Sequence, residues 1–458
     1  MRPLGLLIVA LALLSPLLGY IPLAGRYDVI PLISQYIGII ALVAMALAQI
    51  LATRLAGLEM IFGGLDRMYV LHKWLGIGGL AAVLIHDTID ADLPALGRET
   101  RLHDFAETLG EVSLYGLVAL VLITIVTFIP YNLWRWTHKL MGAFFAASVA
   151  HYALIMKPIA NTDPVGLGIL IICGLGVLSW VYTLLPYGLF QGRAAYHIAD
   201  IDKEGSSVAV TLEPTGKGIA HQAGQFAFVR FGHEGVSETH PFTISAAPQK
   251  DRTLRFTVKA LGDDTRNFAR RLAVGQNARV SRAYGHFRAY KGEKPSVWIA
   301  AGVGITPFTA FAGELEKHKG PVHLVYCVRD ASDAAHLDEL REASQNHPGF
   351  ALHLFESAKG QRLTTESLAE RVDVDWRQAR VAYCGPEALR ETLRKGLIAK
   401  GLKRRNFAFE AFEIRSGLGV RKLAGWLIKR FGGSGSSFHS AIQLAPLVPL
   451  RNSPRVTR

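Results

Sequence analysis

Cysteine is scarce in this chain of 458 residues: Cys173, Cys327 and Cys384 are the only three, and they stand far apart. That number is too small for a four-cysteine zinc or iron–sulfur site and implies no disulfide framework. Acidic residues are absent after Glu413, whereas eight Lys or Arg follow it. The tail therefore holds eight of the thirteen net positive charges. No nucleic-acid partner is indicated; a basic membrane protein with a basic tail fits better. Charge is also thin before Phe190, where the apolar residues concentrate. With 50% hydrophobic content and positive mean hydropathy, the chain is too apolar for an ordinary soluble enzyme and too long for one core.

Apolar runs lie at 4–23, 30–52, 68–87, 109–129, 138–156 and 165–189, each close to the ~20 residues that cross ~30 Å of hydrocarbon. The first, behind Arg2, reads either as a signal peptide or as a first crossing. The want of a small-residue cleavage site favours the crossing. Six crossings put both ends on one side. Arg2, Arg54, Arg67, Lys73, Arg135, Lys139 and Arg193 fall on that side. Arg26, Arg98, Arg101 and Lys157 fall on the other, beside the carboxylates Asp87, Asp90, Asp92, Glu99, Asp104, Glu107 and Glu111. Positive charge collects inside, so the N-terminus and everything after 190 are expected in the cytoplasm.

Two of these runs carry two histidines each: His72 and His86, then His138 and His151. Ionisable residues are costly inside a bilayer and usually functional there. The alternatives are polar residues at helix ends or a proton relay in a transporter. Separations of 14 and 13 residues put two levels ~20 Å apart along a helix, each level with one histidine from each run. Such pairing suits two stacked six-coordinate haems. Fourteen residues return an ideal helix to within about 40° of its starting face, but thirteen leave it about 140° away. The fifth run should therefore be bent, bulged or unequal in its ring approach between Leu140 and Ala150.

From Arg193 short alternating strands with turn residues between them predict an antiparallel β-barrel. HPFTIS (His240, Pro241, Phe242, Thr243, Ile244, Ser245) suits a flavin ring or serves as an ordinary barrel strand. Lys259 begins KALG, ending at Gly262, before a predicted helix at 263–272 with Thr265 in its first turn. Free amides there suit phosphate, or the helix is capped and binds nothing. RAYGHF brings Gly285 near the expected flavin edge. After Pro295 the pattern becomes strand, helix, strand. AAGVGITPF places Gly302 and Gly304 in a β–α turn ahead of Thr306 and Pro307, a turn that cradles pyrophosphate or is simply tight. Arg329 ends the next strand, where it meets a 2′-phosphate or solvent; the first favours NADPH over NADH. YCGP delivers Cys384, Gly385 and Pro386 to the carboxyl edge of the sheet.

Taken in order, HPFTIS, KALGDDT, AAGVGITPF and YCGP resemble the ferredoxin-NADP reductase-like module. Behind six crossings with His-x13-His and His-x12-His, the chain resembles the NADPH oxidase and ferric reductase superfamily, particularly its bacterial members, over residues 5–415. The resemblance implies a multi-domain membrane protein: a six-helix haem-binding bundle (1–190), an FAD-binding β-barrel (191–292), an NADPH-binding α/β domain (293–416) and a tail (417–458). It implies FAD, two b-type haems and NADPH, with NADH the alternative, in a bacterial inner (plasma) membrane. His72, His86, His138 and His151 would ligate iron. His240, Pro241, Phe242 and Thr243 would contact the flavin, Thr243 near its N5, and Gly262 and Thr265 would face the FAD pyrophosphate. Gly302, Gly304 and Thr306 would hold NADPH, with Cys384 beside the nicotinamide and Phe412 covering the flavin. Arg282-Ala283 departs from the Gly-Pro frequent in the family, and the chain runs on past Phe412.

The expected activity is transmembrane transfer of electrons from NADPH to dioxygen, giving superoxide, or else to ferric chelates or a separate extracytoplasmic reductase. A proton-coupled transporter with a regulatory dinucleotide domain is the rival, and it predicts no Soret band. In the tail, 417–431 is expected as a basic amphipathic helix, on the membrane or against the soluble domain.

Overall fold

Among the described residues, five helical stretches are long and apolar enough to cross a membrane: Pro3–Leu23, Val29–Ala52, Leu65–Thr88, Arg101–Thr124 and Pro164–Leu184. In this computed structural model, which describes residues 2–93, 96, 101–125, 131–185, 193–204, 206–232, 239–259 and 271–410, they belong to a nine-helix membrane half. The helices are α1 (Pro3–Leu14), α2 (Leu17–Tyr20), α3 (Val29–Ala52), α4 (Ala56–Phe62), α5 (Leu65–Thr88), α6 (Arg101–Ile125), α7 (Tyr131–Lys139), α8 (Met141–Leu154) and α9 (Pro164–Leu184). Proline in the first turn starts α1 and α9, where its missing N–H costs nothing.

Helix α3 is the hub, packed against α5 and α9. Its buried Ala41, Val43, Ala44 and Ala46 are small, and Gly79 of α5 and Gly176 of α9 sit against Ala41 and Ala46. Small residues let helix backbones approach where lipid supplies no hydrophobic drive. Leu7, Leu11, Ile77, Leu84, Leu122, Ile171 and Leu178 stay exposed on the outside of the bundle. In water that surface is a liability; in lipid it is the correct solvent match.

The fifth expected crossing departs from a plain helix. It is broken at Leu140 into α7 and α8, and the apolar part, α8, has 14 residues. At 1.5 Å per residue that is about 21 Å, short of the hydrocarbon width. The residues ahead of it include Asn132, Arg135, Thr137, His138 and Lys139, too polar to lengthen it. Around the break the ladder tightens: Leu140 N–H bonds to Thr137 O (3.1 Å) and Ala143 N–H to Leu140 O (2.9 Å). Trp180 of α9 holds it, its indole N–H donating to Lys139 O at 2.8 Å and its ring lying against Gly142. Insertion of a side chain into the helical ladder is a recognised cause of a kink. This break falls between His138 and His151, whose thirteen-residue spacing does not close on one face of an ideal helix.

The soluble half has two sheets. The first is antiparallel, ordered β4-β3-β6-β1-β2-β5. Its strands are β1 (Ala194–Glu204), β2 (Ser207–Pro214), β3 (Phe226–Phe231), β4 (His240–Thr243), β5 (Leu254–Lys259) and β6 (Asn277–Tyr284). A bridge between Ile244 and Phe256 joins the two ends into a barrel. The second is parallel, ordered β11-β10-β7-β8-β9, from β7 (Ser296–Ala301), β8 (Val322–Val328), β9 (Phe350–Glu356), β10 (Arg380–Cys384) and β11 (Phe407–Glu410). Residues Ser296 to Ala300 of β7 are all buried, as a central parallel strand covered on both faces requires. Chain order reverses between β7 and β10, which creates a crevice at their carboxyl ends. The predicted site residues Gly262, Thr265 and Phe412, and the predicted tail helix at 417–431, lie outside the described residues.

Candidate functional site

Two imidazole pairs occupy the bundle. His72 and His86 lie on α5, His138 on α7 and His151 on α8. His72 Nδ1 sits 2.9 Å from Ala48 O, His86 Nδ1 2.9 Å from Ser34 O, and His151 Nδ1 2.7 Å from Ala106 O. A carbonyl oxygen only accepts, so each of these nitrogens carries the proton. The Nε2 lone pair is thereby left free in three of the four rings. His138 is held differently, stacked on Trp134 at 5.1 Å, and its buried Nδ1 has no hydrogen-bond partner among the described residues. At the first level the His72 and His138 ring centroids are 6.0 Å apart, inclined at 63°. At the second, His86 and His151 are electrostatic neighbours.

Sequence reasoning did not find the glycines that admit the second pair. A Cβ on Gly110 of α6 would stand 2.9 Å from His151 Nδ1, and one on Gly38 of α3 would stand 3.1 Å from the His86 ring. Glycine inside a helix costs about 1 kcal/mol relative to alanine, so a close neighbour is the expected reason for it. Among the described residues no group of three or more His, Cys, Asp or Glu stands ready for a bare metal ion; the histidines come two by two.

On the barrel, β4 pairs with β3 so that Thr243 faces Phe226 and His240 faces Val229. Alternation puts His240 and Phe242 on one face, their rings 6.0 Å apart, with Pro241 between them; Thr243 is buried. Ser245 is wholly buried and its groups are engaged. Its hydroxyl bonds to Arg255 O (3.1 Å) and Thr257 Oγ1 (2.9 Å), and its carbonyl accepts from Thr309 Oγ1 (2.8 Å). It fastens the barrel to the helix Thr306–Ala312 of the parallel-sheet domain. Gly285 follows β6 at φ +98°, a conformation glycine alone adopts freely.

At the crevice, Gly302 (φ +55°) follows β7 and opens the turn Gly302–Ile305. A Cβ on Gly302 would meet the Lys259 ammonium at 4.0 Å, so a cation from the barrel stands over this turn. A Cβ on Gly304 would run into the Cys384 carbonyl. Thr306 donates to Val303 O at 3.2 Å, and Pro307 occupies the first turn of the following helix. Cys384 is fully buried, and burial, with the Glu410 carboxyl adding to it, pushes its thiol well up. Gly385 packs under Ala301, and Pro386 precedes the helix Glu387–Ala399, its carbonyl accepting from Tyr383 OH at 2.8 Å. Arg329 is exposed just past β8. The structure thus gathers Lys259, Gly302, Gly304 and Cys384 at one edge.

Glu410 is a further residue that sequence reasoning missed. It ends β11, in register with Cys384 on β10. A Cβ on Gly285 would stand 3.4 Å from its Oε1, and its Oε2 has no hydrogen-bond partner among the described residues. Burial pushes its carboxyl up to about 8, the Asp66 carboxylate adds to the rise, and Arg288 opposes it. The visible signal was a single acidic residue inside the otherwise apolar strand FAFE.

Three families match this chain in succession. Residues 37–149 match the ferric reductase like transmembrane component, 199–301 an FAD-binding domain and 298–395 an oxidoreductase NAD-binding domain. The toluate 1,2-dioxygenase electron transfer component of Pseudomonas putida is 26% identical over 216 residues, 45% of this chain and 63% of that protein. The heme-dependent oxidative N-demethylase beta subunit of Ectopseudomonas mendocina is 30% identical over 174 residues, 37% of this chain and 54% of that protein. Dual oxidase 2 of Rattus norvegicus is 28% identical over 200 residues, 39% of this chain and 12% of that protein. The chain spans less than two thirds of each of these relatives. A ferric reductase-like membrane component joined to FAD-binding and NAD-binding domains, with likeness to a dual oxidase, places the chain in the NADPH oxidase and ferric reductase superfamily.

Proposed function

We propose that the chain is a flavocytochrome b that moves electrons from cytoplasmic NADPH, by way of FAD and two b-type haems, across a bacterial inner membrane to dioxygen, releasing superoxide. The observation that carries this reading is the set of Nδ1–carbonyl bonds at His72, His86 and His151, which leave Nε2 as the donor atom. A metal bonded at about 2 Å to two imidazoles sets their centroids roughly 6 Å apart. The His72–His138 separation of 6.0 Å fits that demand.

When bound, the nicotinamide supplies a hydride, the flavin divides the electron pair and the haems carry electrons singly. The chain's own part is to hold these groups in order. Gly302, Gly304 and Thr306 form the turn that would receive the dinucleotide phosphates, with Lys259 supplying positive charge over it. His240, Pro241, Phe242 and Thr243 would support the flavin, and Cys384 would back the nicotinamide. His72 with His138, and His86 with His151, would each hold one haem iron. The lysine and arginine distribution supports soluble domains on the cytoplasmic side.

Ferric chelates are the second acceptor, favoured by Asp87, Asp90 and Asp92 at the far end of α5 and beyond. Cytochrome c reduction by purified protein and NADPH separates the two. Superoxide dismutase should abolish it when dioxygen is the acceptor. Reduction that appears only with ferric chelate, and resists dismutase, would replace the first acceptor by the second. NADPH consumption only on adding an extracytoplasmic protein would make the chain an electron-supply subunit.

A further inference from the structure

Arg282 lies in the segment where the sequence departs from the family's Gly-Pro. Its guanidinium bonds across to the membrane half. Nη1 is 3.3 Å from Glu59 Oε2 on α4, Nη2 donates to Arg54 O at 3.1 Å, and its Cζ lies 4.0 Å over the Tyr284 ring. Glu59 is itself buried, and its other oxygen accepts from Gly285 N–H at 3.4 Å. One carboxylate therefore holds both Arg282 and the glycine that ends β6.

Apolar contacts surround this polar joint. Phe228 and Tyr284 of the barrel belong to the buried cluster of the membrane helices, with Phe226 packed against it. Arg54, in a left-handed conformation at φ +57°, lays its guanidinium 4.5 Å from the Phe228 ring and 5.5 Å from that of Tyr69. Tyr69 precedes His72 by three residues on α5, so it lies on the same helix face. A continuous set of contacts thus joins the strand before Gly285 to the helix that carries His72.

We propose that Arg282 is a positioning residue: with Glu59 it latches the barrel to the segment between the second and third crossings, and so fixes the approach of the flavin site to the His72–His138 level. This rests on the proposed electron path. Burial gives the latch its strength. The Arg282 guanidinium and the Gly285 amide both face the enclosed Glu59 carboxylate, and removing the guanidinium takes away its charged partner. Arginine suits the place better than lysine, since a planar fork satisfies a carboxylate and a carbonyl together.

The test uses the full chain in detergent, as wild type, Arg282→Ala, Glu59→Gln and the exchanged pair Glu59→Arg with Arg282→Glu. Rapid mixing with NADPH follows flavin bleaching and haem reduction as separate phases, and hydrogen exchange reads residues 54–64. Expected in each single variant is unchanged flavin bleaching, haem reduction slowed by roughly tenfold to hundredfold, as small misplacements of reacting groups allow, and faster exchange at 54–64. The exchanged pair should recover most of both losses. Flavin bleaching and haem reduction slowed alike would make Arg282 merely structural and overturn the proposal. So would unchanged haem reduction, or an exchanged pair no better than either single variant. Protein without haem would sink the electron path instead, and the exchange measurement would still decide the latch.

Discussion

His72 of α5 and His138 of α7 face each other across the bundle with ring centroids 6.0 Å apart, although 66 positions of sequence separate them. Their level lies nearer the soluble domains than that of His86 and His151, which gives the two levels an order. On the proposed electron path, His72→Ala should lose one of two haems and stop NADPH from reducing the one that remains. His86→Ala should also lose one haem, yet leave the other reducible by NADPH. Haem content with anaerobic reduction spectra checks both, and equal behaviour of the two variants would remove the order.

Trp180 maintains the break that lets His138 and His151 serve different levels. Trp180→Phe keeps the ring and removes the donor to Lys139 O. An unpaired buried carbonyl costs about 1–3 kcal/mol. The expected result is lower thermal stability and a haem spectrum altered at both levels, measured by melting and low-temperature absorption. A spectrum identical to wild type would relieve Trp180 of this role.

Gly110 has a narrower task. Gly110→Ala puts a methyl 2.9 Å from His151 Nδ1 and must displace the ring or its bond to Ala106 O. Losing such an orienting bond costs about 10–100-fold in metal affinity or activity. The haem proposed at His86 and His151 should be depleted while the other is retained, with acceptor reduction lowered in step.

Glu410 makes stability depend on pH. Its carboxyl, ordinarily near 4.5, is pushed up to about 8 in the folded chain. The folded state then binds more protons than the unfolded one between those values. Its contribution is fully present below about 4.5 and is lost as pH rises towards 8. Melting temperature should fall across that window in wild type, and less steeply in Glu410→Gln. Equal slopes would mean that Glu410 is ionised throughout.

The membrane half was readable from hydropathy because crossing a bilayer needs ~20 apolar residues whatever their neighbours are. The histidine spacings even announced the break near Leu140, since thirteen residues do not close on one face of an ideal helix. The crevice was readable too, from glycines at the turn after β7. Long-range partners were not. Arg282 and Glu59 are 223 residues apart, and Arg282 stood out in sequence only as a departure from a frequent pattern. Gly38, Gly110 and Trp180 acquire meaning only from the atoms beside them. Ser245, grouped by motif with the flavin contacts, turns out to have its hydroxyl committed to Arg255 and Thr257. The fifth crossing was legible as apolar but not as short, because the polar residues of α7 had to be assigned to one side of the break.

Paired histidines are proposed to hold two irons reducible from the nucleotide side. A pyridine-haemochrome assay on well-folded, flavin-loaded protein, followed by anaerobic addition of NADPH, tests it most directly. Two b-type haems per chain, both reduced by NADPH, are the expected result. Folded protein that binds flavin but contains no haem would contradict it.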